Sequence, residues 1–117
     1  MKPTKQDEQA LVRVKVLHTF AWAIFAGCIV ALPIAGVLRR FSLAAILAAI
    51  VLVECLILAA NRFRCPLTNV AARYTEERAP NFDIFLPRWL AQYNKQIFGT
   101  LYVLGGAYVV WLWLAAR

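Results

Sequence analysis

The stretch FSLAAILAAIVLVECLILAA, residues 41–60, decides the fold: of its twenty residues only Glu54 is charged. At about 1.5 Å of rise per residue, a helix of that length crosses the roughly 30 Å hydrocarbon layer of a bilayer. On a soluble domain the same helix needs a polar stripe, and this one has none. Two further stretches read the same way. Residues 16–38 hold His18 and no charged side chain, and residues 97–116 hold no charge at all. Three spanning helices account for a hydrophobic content of 62%, where a soluble domain is nearer half apolar. The expected fold class is all-α: an integral membrane protein with three transmembrane helices and a partly helical, amphipathic cytoplasmic loop. The 117 residues divide into a polar tail (1–15), spans at 16–38, 41–60 and 97–116, and a loop at 61–96, together one domain.

The first span is expected to stay in place. It is longer than the apolar core of a signal peptide, and Arg39-Arg40 follows it where a small-residue cleavage site belongs. Three cysteines, Cys28, Cys55 and Cys65, form no CxxC pair, so neither a disulfide framework nor a zinc site is indicated.

The net charge is +7. Its basic residues flank apolar spans, which points to anionic lipid and membrane topology rather than to nucleic acid. Three spans put the tail and the loop on one side, with ten of the thirteen Lys and Arg residues. Arg39, Arg40 and Arg117 are on the other. The imbalance orients the N-terminus and the loop to the cytoplasm and the C-terminus outward.

Small residues recur every fourth position at Ala23, Gly27, Ala31 and Ala35, and again as Ala44/Ala48 and Ala45/Ala49. In lipid, such ladders allow close backbone approach, so both are expected helix-packing seams. Pro33 should kink the first span. The tail is expected to become helical near Ala10. In the loop, Thr68 or Asn69 can cap a short helix reaching about Arg78, after a turn at Cys65-Pro66. Pro87 suits the start of a helix that runs on into the third span, with a bend near Gly99 or Gly105-Gly106. Tyr108, Trp111 and Trp113 form an aromatic belt at the outer face.

Glu54 is the most informative residue for chemistry. A carboxylate below the headgroups needs a partner or a proton. His18 enters the bilayer from the same face, so an intramembrane polar cluster of Glu54 and His18, with Asn61 and Cys65 nearby, is expected. Two readings stay open: a clamp that fixes helix register, and a site for protons or a cofactor. Haem on His18 would need a second histidine from a dimer or partner subunit, since the chain has one. Cys65 sits beside Arg64 ahead of the short helix, a setting that favours thiol reactivity, though no histidine base is near it in sequence. Arg62, Arg64, Arg73, Arg78 and Arg88, with Trp89, offer a surface for lipid phosphate or for another membrane or cytoplasmic protein. A second copy of the chain is an alternative partner.

No HExxH, GxSxG, P-loop or Rossmann glycine pattern occurs, so enzymatic activity has no positive support.

At Cys65-Pro66-Leu67-Thr68 the chain resembles small bacterial inner-membrane proteins with a histidine early in span one, a glutamate in span two and Cys-Pro-Leu-Thr just after it. His18, Glu54 and Cys65 to Thr68 carry the likeness here. The run Asn81-Phe82-Asp83-Ile84-Phe85-Leu86-Pro87, with Trp89-Leu90 and Asn94-Lys95, looks like part of a related group. The resemblance implies architecture and candidate positions, and no activity. The function expected is that of a structural or accessory subunit whose basic loop docks a partner. The alternative is a proton-coupled transporter or redox module using Glu54 and His18.

Overall fold

A computed structural model describes residues 4–116, which leaves Lys2, Pro3 and Arg117 outside the described residues. Four helices follow one another: α1 (Lys5–Val37), α2 (Phe41–Ala60), α3 (Pro66–Ala71) and α4 (Arg88–Ala115). Among the described residues there is no strand. Helices α1, α2 and α4 are each long and apolar enough to cross a membrane.

Helix α1 begins at Lys5 rather than near Ala10. The cause is a reciprocal cap: the Asp7 amide donates to Thr4 Oγ1 at 3.1 Å, and the Thr4 amide donates to Asp7 Oδ2 at 3.0 Å. Thr4 and Asp7 thereby satisfy orphan donors of the first turn, and Asp7 and Glu8 favour the positive end of the helix. Residues 5–15 of the polar tail are thus an added stretch of α1.

Helices α1 and α2 end alike. Arg40 N–H donates to Ala35 O, and Phe63 N–H to Leu58 O, five residues back in each case. The residues just before these donors, Arg39 and Arg62, have φ of 59° and 57°. These are Schellman ends with arginine where glycine is usual. Helix α3 ends at Ala71, short of Arg78, and starts at Pro66, so Thr68 lies inside it rather than at its cap. Cys65 occupies the cap position without a side-chain hydrogen bond to the helix end, and Pro66 opens the first turn. Irregular turns then run to Pro87, whose carbonyl accepts the first bond of α4 from Ala91. That start agrees with the proline's expected role. Helix α4 continues without a break through Gly99, Gly105 and Gly106, and α1 through Pro33.

The chain packs as two compact units. One comprises the chain up to Trp22 with Ile57–Tyr93; the other comprises Ala23–Leu56 with the chain from Asn94 onward.

In the second unit the core is Leu32, Ala35 and Ala44, with Leu47, Ala48, Tyr102 and Val109 packed against it. The small-residue seam of α1 is narrower than the ladder suggested. Ala23 and Gly27 are exposed, and a methyl group on Gly27 would touch nothing within 4 Å. The close approach is at Gly36, where a Cβ would lie 2.8 Å from Val109 Cγ2. Buried positions Ile29, Leu32, Ala35 and Gly36 follow helical spacing, and Ala35 is the one ladder member among them. On α2, Ala44 and Ala48 face the core while Ala45 and Ala49 are exposed. Tyr102 OH donates to the Ala48 carbonyl at 2.9 Å, a hydrogen bond from α4 to α2. Tyr108 and Trp111 stack at 6.2 Å within the expected aromatic belt.

Candidate functional site

The first unit holds the polar centre, and its organiser is Asp83. This carboxylate is buried, only 6% exposed, in a chain whose other described interior residues are mostly apolar. A buried carboxylate needs donors. The Thr68 hydroxyl donates to Asp83 Oδ2, and His18 Nδ1 stands 3.4 Å from the same oxygen. His18 Nδ1 also lies 3.0 Å from the Asp83 carbonyl oxygen. A carbonyl only accepts, so Nδ1 carries the hydrogen, and in the neutral ring Nε2 is the basic nitrogen.

One face of α1 receives the loop. Lys15, His18 and Thr19 lie at helical spacing on that face. The Thr19 hydroxyl donates to the Lys15 carbonyl at 2.7 Å and accepts the Phe85 amide at 2.9 Å. Lys15 Nζ rests over the Phe85 ring, 4.5 Å from its centroid. Asp83 and Phe85, two residues apart, are thus both tied to α1, and Ile84 between them is buried.

Cys65 belongs to the same unit, at the N-terminal end of α3. It is reduced and half-buried. Among the described residues, no three His, Cys, Asp or Glu side chains are placed to hold a metal ion.

The structure redistributes the expected cluster. His18 Nδ1 meets Asp83, which the loop brings back onto α1. Glu54 is half-buried on α2 in the other unit, next to Cys55. Asn61 braces the end of α2: its amide donates to Arg64 O at 2.6 Å, and its Oδ1 accepts Asn69 Nδ2 at 3.1 Å. Arg78 holds the loop's own backbone, with Nη1 on the carbonyls of Thr75 and Glu77 and its guanidinium over Phe82. Arg62, Arg64, Arg73, Arg88 and Trp89 are exposed, as a surface for partners requires.

Asp83 is absent from the candidate site residues read from the sequence, where it appears only within the run Asn81 to Pro87. A signal was present, since an acid between Phe82 and Ile84 interrupts an apolar run. Comparisons with protein-family models, curated proteins and solved structures return no match, so function is read from the chain's own residues.

Proposed function

We propose that the chain is a three-span protein of the bacterial inner membrane, with the N-terminus and the loop cytoplasmic and the C-terminus periplasmic. Support comes from the three long apolar helices and from the ten-to-three distribution of Lys and Arg across them. A C-terminal alkaline phosphatase fusion is expected to be active and a C-terminal green fluorescent fusion dark. The reverse pattern sinks the orientation.

Its role is that of an accessory subunit whose loop forms a fixed basic cap. The observation that carries this reading is the fastening of the loop to α1 through His18, Asp83, Thr68, Thr19 and Phe85. A connector between spans needs no such anchoring, whereas a docking surface gains from being ordered before it binds. Arg62, Arg64 and Arg73 are exposed on that cap and suit an acidic face of a membrane or cytoplasmic partner. Co-purification in mild detergent tests the reading. A stoichiometric partner should be retained by the wild type and lost on Arg62→Glu/Arg64→Glu/Arg73→Glu. A chain that elutes alone, or a partner indifferent to the charge reversal, rejects it.

A second reading, proton or redox handling at His18, is favoured by one observation: the imidazole meets the buried carboxylate of Asp83. Glu54, the one charged residue of residues 41–60, is the acid this reading tests. Proton-coupled uptake into vesicles that is abolished by Glu54→Gln supports it, and uptake that survives the substitution eliminates the transport version.

A further inference from the structure

We propose that the cavity where α1, α2 and α4 end on the side away from the loop is a headgroup site for an anionic phospholipid, with Arg39 holding the phosphate. The proposal rests on the three-span reading but not on the docking role of the loop, since the cavity lies wholly within the second unit.

The cavity has a volume of about 320 Å³, at the lower end of the range for small-molecule sites. Gly36 lines it where α1 and α4 come close, with Val109 Cγ2 2.8 Å and Leu112 Cδ1 3.4 Å from where a Cβ would stand. Its depth in a bilayer follows from the helix ends. Val37 closes α1, Phe41 opens α2 and Ala115 closes α4, and all three line the cavity. Headgroups lie at that level. Tyr108 and Trp111, stacked at 6.2 Å, form its α4 wall and belong to the ring types that favour the same zone. Val37 and Trp111 are 60% and 63% exposed, so a ligand seated here can continue along apolar surface outside. A lipid has the chains to do so.

Charge decides the class of headgroup. Arg39 is the one charged residue lining the cavity. Its backbone is fixed by the helix end, with the Arg39 amide donating to the Gly36 carbonyl at 3.0 Å. Glu54, the one acid of the second unit, lies thirteen positions from Phe41, about 20 Å along α2. The other five acids of the chain belong to the first unit. Arg39 therefore has no carboxylate of its own unit within reach, and its forked donors suit a phosphate. Basic pockets between membrane helices take anionic headgroups in this way. A zwitterionic headgroup brings an ammonium that would face Arg39 with no acid in the lining to offset it.

The test is native mass spectrometry of the full-length protein in detergent, titrated with phosphatidylglycerol and with phosphatidylcholine of the same chains. One phosphatidylglycerol should bind about tenfold more tightly than phosphatidylcholine, as one or two charge-assisted hydrogen bonds imply. Arg39→Gln should remove that advantage, and Arg39→Lys, which keeps the charge without the fork, should keep part of it. Arg40→Gln deletes the same charge one position away, outside the lining, and should change binding by less than about twofold. Arg62→Gln/Arg64→Gln should also leave it in place. Excess glycerol 3-phosphate, which has the anion without the chains, should not displace the lipid. Equal losses in Arg39→Gln and Arg40→Gln, or a loss confined to Arg62→Gln/Arg64→Gln, overturn the site. Equal binding of the two lipids overturns the anionic class, and displacement by glycerol 3-phosphate overturns the lipid as its source. The fusion and co-purification results stand apart from these, so failure here leaves the orientation and the docking role to their own tests.

Discussion

The Nδ1 atom of His18 lies 3.0 Å from the carbonyl oxygen of Asp83, sixty-five positions further along the chain. This contact joins a helix whose residues 16–38 read as a membrane span to a loop that reads as a polar connector. Its effect is to make the loop part of a folded unit. The same residue pair also meets through the Asp83 carboxylate, so the imidazole is held from two directions.

Removing that carboxylate should release the loop. Asp83→Ala leaves the Thr68 hydroxyl and the His18 ring without their shared acceptor. Hydrogen bonds to a charged group contribute about 1.5–3 kcal/mol, so a loss of about 2 kcal/mol is expected. Tryptic cleavage at Arg78 and Arg88 should accelerate by about tenfold or more, as a local opening of that cost implies. Unchanged cleavage would mean that the loop is held by apolar packing at Ile84 instead.

Packing of the second unit gives a contrast between two glycines on one helix. Gly36→Ala places a methyl group 2.8 Å from Val109 Cγ2, on a β-branched side chain with little freedom to move. Overpacking of this kind costs about 1–3 kcal/mol, more than the roughly 1 kcal/mol that alanine gains in helix propensity. Gly27→Ala meets no neighbour within 4 Å and should keep that gain. Thermal unfolding in detergent should therefore rank Gly27→Ala above wild type and Gly36→Ala below it. The reverse order would place the seam on the Ala23–Gly27 side.

The spans were legible because apolar length is a one-dimensional property: residues 41–60 announce themselves without any knowledge of neighbours. The polar centre was half legible. His18 stood out as an ionisable group in an unusual setting, yet its meeting with Asp83 depends on the path of the loop, and no local pattern encodes that path. Glu54 drew attention because an acid inside a span is costly, whereas Asp83 in a loop seemed free to reach water. Its burial follows from the loop closing over α1. Thr68 was misread for the same reason: a threonine near a helix start is a good cap until a distant carboxylate claims its hydroxyl. The ladder from Ala23 to Ala35 was legible as a pattern but not as a face, because which side of α1 is covered depends on where α4 lies.

The hydrogen bond from Tyr102 to the Ala48 carbonyl offers a direct measure of polar contacts between these helices. Tyr102→Phe preserves the ring and removes the hydroxyl. Cross-helix bonds of this type contribute about 0.5–1.5 kcal/mol, and the Ala48 carbonyl keeps its own helical bond in the variant. A loss of about 1 kcal/mol is expected in denaturant titration of the detergent-solubilised protein. No measurable loss would place the stability of the seam in Leu32, Ala35 and Ala44 alone.

Arg39 and Arg62 hold left-handed backbone at the ends of α1 and α2, with φ of 59° and 57°. For a residue with a Cβ this conformation costs about 1–2 kcal/mol, while glycine adopts it freely and loses about 0.5–1 kcal/mol of chain entropy on folding. Arg39→Gly and Arg62→Gly should each stabilise the fold by about 0.5–1 kcal/mol. Alanine at the same positions removes the charge and keeps the strained backbone, so Arg39→Ala and Arg62→Ala should not gain. At Arg62 the comparison also separates stability from function, because both substitutions delete a cation of the proposed docking surface. Arg62→Gly should then melt higher than wild type while retaining less partner in mild detergent. A glycine variant that melts no higher than its alanine counterpart would show that the Schellman turns are relaxed by other contacts, and would remove backbone strain as the reason these ends resist arginine.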